Sequence, residues 1–436
     1  MSEKKVLIIT YYWPPSGGSG VQRWLKFVKY LPQFGWTPYV FTPENPSFDS
    51  KDESLLKDVS SDVEVIKLPI WEPYDVFRRL SLMFSGKGVK STDFISTGKK
   101  SWFGKIATFV RGNFFIPDPK IFWIKPSVRF LKDFLSDQNI DTIITTGPPH
   151  SMHLIGLRLK KMNPSLKWIA DFRDPWSEWD IYDHLSLTRL ARMRHKRLER
   201  NVLRNATSVI TISPFHVKRL ELLGDRKVEL ITNGFDEDDF KSMIHKRTEK
   251  FTIRHIGVVD ELRDPRPFLK CVIDSVQQNK DFSKDVQIEF IGNINSALIE
   301  YVKSQPGLEG LVHFKRPINH EQLISIYGQT DILLLVLTNT SIAPGNLPGK
   351  LFEYIASGKP ILCVGPEDGD AAKIIDESKL GTVVNIDNHG ALQREIETLY
   401  LRWKNFQLKP NAIPEAYTRR NLTHKLKLVL EGNTRD

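Results

Sequence analysis

Residues 344–365 read PGNLPGKLFEYIASGKPILCVG, which predicts a loop, a short helix and a buried strand in succession. Pro348 suits the first turn of the helix, because no backbone N–H is needed there. Gly358 is typical of the residue that ends a helix, and the apolar run after it predicts the strand. Lys350 and Glu353 are three residues apart, so they lie on one face of the helix.

The start of this helix combines three features that favour an anionic ligand. Its first N–H groups have no partner within the helix, and they form the positive end of the helix dipole. Lys350 adds a cation and Glu353 adds a carboxylate that can accept hydrogen bonds from hydroxyls. We therefore expect a ligand with phosphate at one end and hydroxyls at the other, as in a nucleotide sugar.

Short apolar runs alternate with longer helical patterns along the whole chain. Seven runs lie in the first half, at residues 6–10, 39–42, 63–68, 142–146, 168–171, 209–213 and 228–232. Six lie in the second half, at residues 252–256, 286–291, 311–314, 332–337, 360–364 and 382–385. Strands that alternate with helices predict parallel, doubly wound sheets. Two such series predict an α/β protein with two Rossmann-like domains.

The division between the two domains follows from a change in composition. Residues 236–250 read DEDDFKSMIHKRTEK, a charged stretch without an apolar period, which is typical of a linker. We predict a first domain at residues 1–236, a linker at 237–250 and a second domain at 251–410. Residues 411–436 form a separate C-terminal segment with a helical pattern.

The composition is that of a globular protein and gives no sign of a membrane span, a disulfide or a metal site. The chain has 436 residues, of which 40% are hydrophobic and 26% charged, as in an ordinary globular protein. No apolar run approaches the length that crosses a bilayer, and the first run ends in YYWPP, so we interpret it as a strand and not as a signal peptide. Cys271 and Cys363 lie in apolar contexts, which predicts free buried thiols in a reducing compartment. With so few cysteines and scattered histidines, we expect no metal site.

The charge is strongly basic, with a net value of +10 and a pI of about 9.3. Acidic ligands, an anionic membrane surface and nucleic acid all suit this charge, and surface lysines without a partner would also explain it. No recognition helix, zinc finger or RNA-binding signature is present, so we expect no nucleic-acid partner.

Polar and glycine-rich segments follow the predicted strands of the first domain, at the sheet edge where doubly wound folds bind ligands. Gly17 and Gly18 follow the first strand and allow a ligand to approach the backbone, although a plain tight turn is the alternative. His150 follows a later strand, and a structural histidine is the alternative to a site residue. Arg173 follows the next strand and precedes Asp174. These two either have a ligand-binding or catalytic role or form a structural ion-pair cluster with Asp171. Residues 233–236 read NGFD and are either a site element or a turn before the linker.

The segment at about residues 70–119 interrupts the strand and helix pattern. It mixes aromatic side chains with lysine and arginine, a composition that suits an interfacial membrane contact or an insertion that packs on the first domain. It is also the natural place for an acceptor site. We expect a cytoplasmic protein, with contact to the cytoplasmic face of the inner membrane left open.

The second domain opens with FTIRHIG at residues 251–257, and Arg263 follows six residues after Gly257. A glycine at the end of a strand with a cation one turn later suits a diphosphate. Arg266 is a competing candidate for the same role.

Taken together, five segments resemble the retaining nucleotide-sugar glycosyltransferases of family 4. These segments are PPSGGSGVQR, DFRDPW, ITNGFD, the glycine and cation at the start of the second domain, and PGKLFEYIASGKP. In detail the chain is similar to members that build bacterial surface polysaccharides. The resemblance implies a GT-B fold, in which two Rossmann-like domains face each other across a cleft. It also implies that the C-terminal helix returns to the first domain.

The resemblance implies roles for individual residues. Glu353 matches a glutamate that holds the ribose of the donor, and Arg263 falls where the family has a cation on the donor diphosphate. Lys350 resembles the lysine of family variants that read K-x-x-E-Y, which suits the diphosphate. Gly17 and Gly18 match the glycine-rich loop that faces the donor.

Two positions depart from the family pattern. The family's first glutamate should lie eight residues before Glu353, where this chain has Gly345. The usual carboxylate contact to the donor sugar is therefore either missing or replaced by backbone N–H groups around Asn346, at residues 346–349. The histidine that many members have near the transferred sugar is replaced by Arg173.

The resulting hypothesis is a metal-independent, retaining glycosyltransferase. It would use a nucleotide diphosphate sugar as co-substrate, without any other cofactor, and a glycan or lipid-linked acceptor. Two alternatives remain open from the sequence. A nucleotide-sugar epimerase has the same architecture, and a non-catalytic paralogue would bind a nucleotide sugar or a membrane without turnover.

Overall fold

The computed structural model describes residues 3–48, 51–73, 102–179, 182 and 185–433. The chain forms two compact units, one built from Met1–Thr232 and Arg420–Asp436 and the other from Asn233–Arg419. Residues 237–250, the predicted linker, belong to the second unit, where the backbone N–H of Lys246 donates to the carbonyl of Gly328 at 3.0 Å. Within the predicted insertion, residues 74–101 lie outside the described part of the chain.

The first unit is a parallel sheet of seven strands with helices between them. The strands are β1 (Lys4–Ile9), β2 (Trp36–Pro43), β3 (Glu64–Leu68), β4 (Thr142–Gly147), β5 (Lys167–Phe172), β6 (Ser208–Thr211) and β7 (Glu229–Leu230). The helices are α1 (Ser19–Tyr30), α2 (Trp102–Phe114), α3 (Ile121–Asp137), α4 (Ser151–Met162), α5 (Arg189–Asn205) and α6 (Pro214–Gly224). The strand order is β3-β2-β1-β4-β5-β6-β7, which places β1 and β4 side by side at the centre of the sheet.

The second unit repeats this plan with six parallel strands. They are β8 (Phe251–Ile256), β9 (Val286–Ile291), β10 (Val312–Lys315), β11 (Ile332–Val336), β12 (Ile361–Val364) and β13 (Gly381–Val384), in the order β10-β9-β8-β11-β12-β13. The helices are α7 (Glu237–Phe240), α8 (Arg266–Gln278), α9 (Lys280–Asp285), α10 (Ser296–Lys303), α11 (His320–Gly328), α12 (Gly349–Ala356), α13 (Asp370–Glu377) and α14 (His389–Lys404). The last helix, α15 (Arg419–Glu431), starts at the end of this unit.

The predicted fold class is confirmed, because each of the thirteen predicted strands is present, with bounds that shift by a few residues. Alternating side chains explain why the strands are apolar throughout. Leu7 and Ile9 of β1 pack into one core cluster, whereas Val6 and Ile8 pack into the cluster on the opposite face of the sheet. A strand that is covered on both faces must be apolar at every position, as parallel strands between two helix layers are.

Helix α15 packs on the sheet of the first unit. Leu422, Leu426, Val429 and Leu430 are buried in the same core cluster as Val6. Their spacing of three and four residues places them on one face of the helix. The first unit is therefore completed by the last helix of the chain.

Two predictions from the composition concern the cysteines and membrane-spanning segments. Cys271 and Cys363 are buried free thiols, as predicted. In the part of the chain that the structure describes, no helix is long and apolar enough to cross a membrane.

Candidate functional site

In the second unit, the ends of β8 and β9 meet without side chains between them. Gly257 follows β8 with a φ of 126°, and Gly292 follows β9 with a φ of 145°. A Cβ on Gly292 would lie 2.1 Å from the carbonyl oxygen of Gly257, so no other residue fits there. The close approach of the two backbones fixes where the loop after β8 begins.

Lys350, near the start of α12, points its amino group at this glycine end of β8. A Cβ on Gly257 would lie 3.1 Å from Lys350 Nζ, and Nζ lies 3.0 Å from Nε2 of His255. The other ring nitrogen of His255, Nδ1, lies 3.0 Å from the carbonyl oxygen of Leu334. Because a carbonyl can only accept, Nδ1 carries the proton and Nε2 accepts from the lysine.

Burial shapes the charge of this pair. The pKa of Lys350 is lowered to about 7, first by burial and then by the positive charge of Arg263. The pKa of His255 is lowered well below its ordinary value by burial and by Lys350. The histidine is therefore a neutral acceptor, and an anion beside Lys350 would favour the charged form of the lysine.

Arg263 lies on the loop between β8 and α8, and its positive charge lowers the pKa of Lys350. Its Nη1 forms an ion pair with Asp260 at 2.5 Å, and its side chain is 34% exposed. The competing candidate, Arg266, pairs with Asp264 and is half exposed at the start of α8. Of the two arginines, Arg263 is the one whose charge lowers the pKa of Lys350.

Glu353 lies one turn after Lys350 on α12 and is held by a tyrosine. Tyr327 donates its hydroxyl proton to Oε2 of Glu353 at 2.6 Å. Tyr327 is itself buried between Phe240 and Tyr354, with ring centroids 6.1 and 5.9 Å away. Burial raises the pKa of Tyr327 well above its ordinary value, so the hydroxyl stays a donor and Glu353 keeps its orientation.

The loop before α12 uses part of its own hydrogen-bonding capacity. Ala343–Gly345 forms one turn of 3₁₀ helix, and the N–H of Asn346 donates to Ala343 at 3.0 Å. The side-chain amide of Asn346 donates to Thr338 at 3.2 Å. Pro348 precedes the first residue of α12 rather than lying in its first turn. The backbone N–H of Asn346 is therefore already engaged within this loop.

In the first unit, a buried ion pair lies at the carboxyl end of β5. Arg23 of α1 donates to both carboxylate oxygens of Asp171, at 3.2 and 3.0 Å, and both side chains are fully buried. Trp24 and Thr146 donate to the same carboxylate at 2.8 and 3.0 Å. Asp171 therefore anchors α1 to the sheet.

Arg173, two residues after Asp171, makes a different set of contacts. Its Nη2 donates to the carbonyl oxygen of Pro148, and a Cβ on Gly20 would lie 2.6 Å from its Nη1. Its Nε is buried without a hydrogen-bond partner among the described residues. Burial lowers the pKa of Arg173, and the charge of Asp174 acts in the opposite direction. The guanidinium thus lies against the start of α1, where Gly18 precedes the first helical residue with a φ of 97°.

His150 lies at the start of α4, beside a second histidine that the sequence did not single out. The His150 ring stacks on Trp176 with centroids 4.8 Å apart, and the His153 ring stacks on Phe172 at 4.4 Å. Both ring nitrogens of His150 and Nε2 of His153 are buried without a partner among the described residues. Burial lowers the pKa of both histidines, that of His153 to about 3, so both are neutral. Gly147 separates them, since a Cβ there would lie 2.6 Å from His153 Nε2.

The structure thus groups the predicted site residues into two sets. Arg263, Lys350 and Glu353 lie in the second unit near the end of β8, and Asn346 lies in the loop before α12. His150, Arg173, Asp174 and the glycines 17 and 18 lie in the first unit after β1, β4 and β5. Sequence reasoning missed His255, Tyr327, Arg23 and His153. Only His255 carried a usable signal, since it lies in an apolar strand two residues before Gly257.

The described residues contain no group of three or more histidine, cysteine or carboxylate side chains that could hold a metal ion.

Comparison with known proteins bears on the fold. No family model matches the chain, and no curated protein matches it by sequence. Solved structures do match. Sucrose-phosphate synthase from Thermosynechococcus elongatus superposes with a TM-score of 0.62 at 14% identity, over 98% of both chains. WaaG, a glycosyltransferase involved in lipopolysaccharide biosynthesis, superposes with a TM-score of 0.59 at 13% identity, over 98% of this chain and all of the other.

The chain has the GT-B fold. The same architecture extends to a different chemistry, because a candidate UDP-N-acetylglucosamine 2-epimerase from Listeria monocytogenes superposes with a TM-score of 0.56 at 13% identity. That alignment covers all of this chain and 98% of the other. The fold therefore agrees with the expected glycosyltransferase but does not by itself select the reaction.

Proposed function

We propose that this protein is a glycosyltransferase that moves a sugar from a nucleotide diphosphate sugar to a glycan or lipid-linked acceptor. The observation that carries this proposal is the group of side chains at the end of β8 and the start of α12. Lys350 lies over the glycine end of β8, and Glu353 is oriented by Tyr327 one helical turn away. A diphosphate fits the first of these and a ribose diol fits the second.

In this reaction, these residues would stabilise the negative charge of the leaving group. The bond between the anomeric carbon of the sugar and the diphosphate oxygen breaks, and the acceptor hydroxyl forms the new bond while losing its proton. Negative charge grows on the leaving diphosphate, next to Lys350, Arg263 and the N-terminus of α12. A preorganised donor of this kind lowers a barrier by on the order of 3 kcal/mol.

We assign the acceptor side of the reaction to the first unit. Arg173, Asp174 and His150 lie after β4 and β5, at the sheet edge where doubly wound folds bind ligands. Neither ring nitrogen of His150 has a partner among the described residues, and one nitrogen of the neutral ring can accept a hydrogen bond from a hydroxyl. Retention of configuration, independence of metal ions, family 4 membership and a role in surface-polysaccharide synthesis at the cytoplasmic membrane face belong to the same proposal and rest on the sequence resemblance.

The experiment is a measurement of nucleoside diphosphate release from UDP-, GDP-, dTDP- and ADP-sugars, with and without a mixed glycan acceptor and with a chelator present throughout. We expect release from at least one donor, and Lys350→Met should lower kcat on the order of a hundredfold. Lys303→Met, at an exposed lysine of the same unit, is the matched control and should act like the wild type. The anomeric proton coupling of the product, read by NMR, tests retention. Binding of a donor without any turnover would instead indicate a non-catalytic paralogue.

A nucleotide-sugar epimerase is the second candidate. It is favoured by two buried histidines, since both ring nitrogens of His150 and Nε2 of His153 have no partner among the described residues. The epimerase-like structure described above favours it as well. An epimerase needs no acceptor and changes one stereocentre of its substrate. The same donor panel, incubated without acceptor and followed by ¹H NMR, separates the two candidates. A second sugar nucleotide in that mixture would favour the epimerase and contradict the transferase.

A further inference from the structure

Helix α5 of the first unit has an unusual surface for a helix of a globular protein. It carries seven basic residues, all of them exposed: Arg189, Arg192, Arg194, Lys196, Arg197, Arg200 and Arg204. Its single acidic residue, Glu199, is buried on the inner side and accepts from the N–H groups of Trp176 and Ser177 at 3.2 and 3.0 Å. No acidic side chain of the helix therefore offsets its exposed positive charge.

Two large apolar side chains stand among these cations. Leu190 is 79% exposed and Met193 is 68% exposed. Leu190, Met193, Arg194 and Arg197 are three or four residues apart, so they share one face of the helix. A helix face that presents leucine and methionine between arginines is costly in water and suits an interface with an apolar layer beneath charged groups.

Helix α2 extends this face. Asn113 of α2 accepts hydrogen bonds from the N–H and the hydroxyl of Thr188, both at 2.8 Å, and Thr188 caps the start of α5. Gly112 packs against Leu185 and Leu187, where a Cβ would lie 2.7 Å from each residue. Among the α2 side chains that the structure describes, Ile106, Phe109 and Phe114 are apolar and exposed. These three residues, together with Leu190, Met193, Arg194 and Arg197, form what we call the α2–α5 face.

The α2–α5 face adjoins the predicted acceptor side of the site. Both helices line a cavity of about 50 Å³, through Arg111 of α2 and His195 of α5, and His150 before α4 lines the same cavity. The α2–α5 face therefore lies in the same part of the first unit as the proposed acceptor site.

We propose that the α2–α5 face binds the surface of a lipid bilayer that contains anionic headgroups. Its arginines complement headgroup charge, and its leucine, methionine and phenylalanine side chains can enter the boundary between headgroups and acyl chains. Nucleic acid matches the charge but offers no partner for Leu190, Met193 and Ile106. The inference deepens the proposed function, since it supplies a partner surface beside the acceptor site and favours a lipid-linked acceptor over a soluble one.

The test is flotation of the full-length protein with vesicles of phosphatidylcholine alone and of phosphatidylcholine mixed with phosphatidylglycerol. The wild type should float with the mixed vesicles, and added salt should weaken this binding. Arg194→Gln with Arg197→Gln should lower the partition coefficient by about 25-fold, at about fivefold for each cation near an anionic surface. Leu190→Gln with Met193→Gln should lower it by about tenfold.

The matched control is Leu401→Gln with Arg402→Gln, an exposed leucine and arginine on α14 of the second unit. It should float like the wild type, and all variants should melt like the wild type because the substituted side chains are exposed. The proposal is overturned if the wild type does not float with anionic vesicles, if the control loses as much binding as the α5 variants, or if the face binds a DNA duplex and not vesicles. Flotation needs no donor, so this inference and the proposed function fail separately.

Discussion

Lys350 is a half-buried cation that points toward the glycine end of β8. Its amino group donates to neutral His255, which cannot neutralise it, so the lysine holds its proton weakly until an anion arrives. The charged or titratable groups that act on Lys350 are His255, Arg263, Asp260, Glu353 and Cys363. Asp260 and Glu353 raise the pKa of Lys350, and a diphosphate beside the lysine would add further negative charge.

This arrangement predicts a pH dependence for donor binding. In the free protein the pKa of Lys350 is about 7, and a bound diphosphate must raise it because it favours the charged form. Affinity for a nucleotide sugar should therefore be constant below pH 7 and fall by up to about tenfold per unit of pH above it. Calorimetry in buffers of different ionisation enthalpy should show proton uptake near pH 8. Lys350→Met should abolish both the slope and the uptake, and a wild-type affinity that is flat from pH 6 to 9 would contradict the assignment.

His255 should affect binding without contacting the ligand. His255→Leu removes the acceptor that positions the lysine amino group and leaves the cation buried without a polar partner. We expect donor affinity to fall by about tenfold and the pH midpoint of binding to move. His255→Gln keeps an acceptor and should recover part of the loss. An unchanged midpoint in His255→Leu would show that the histidine only fills space.

At the scale of elements, the ends of β8 and β9 depend on two glycines that no other residue can replace. Gly292→Ala combines a strained φ of 145° with a Cβ that would lie 2.1 Å from the carbonyl oxygen of Gly257. We expect it to lower the free energy of unfolding of the second unit by at least about 2 kcal/mol, measured by urea denaturation. Gly310→Ala is the control, because its φ is also positive, at 72°, but nothing lies within 4 Å of the added Cβ. Equal losses for both variants would mean that strain alone, and not the close approach, fixes this loop.

The elements themselves follow from local sequence, and the site contacts do not. Apolar runs located all the strands, because a strand covered on both faces must be apolar throughout. Gly358 marked the end of α12, since its φ of 64° is rare for other residues. The pairs Lys350 with His255, Glu353 with Tyr327 and Asp171 with Arg23 depend on strand order and on how each helix docks. No local pattern encodes those distances, so the sequence named one member of each pair and missed the other.

At the scale of the whole chain, the first unit is complete only with the last helix. Leu426 is fully buried between α15 and the sheet. Leu426→Ala should lower the free energy of unfolding by about 2–5 kcal/mol, the range for a leucine deleted from a core. Leu428 lies two residues further, outside this cluster, so Leu428→Ala is the control and should cost less. Equal and small losses in both variants would contradict the role of α15 in closing the first unit.

The central claim concerns a ligand, and a thermal-shift titration of the whole protein tests it most directly. UDP-, GDP-, dTDP- and ADP-sugars are compared in the wild type, in Glu353→Ala and in the control Lys303→Met. Ligand at about a hundred times its Kd adds about 2.7 kcal/mol of stability to the native state, which raises Tm by a few degrees. The account predicts that at least one nucleotide sugar raises Tm in the wild type and the control, and that Glu353→Ala needs a much higher ligand concentration for the same shift. A flat response to the whole panel, or a Glu353→Ala titration that matches the wild type, would contradict it.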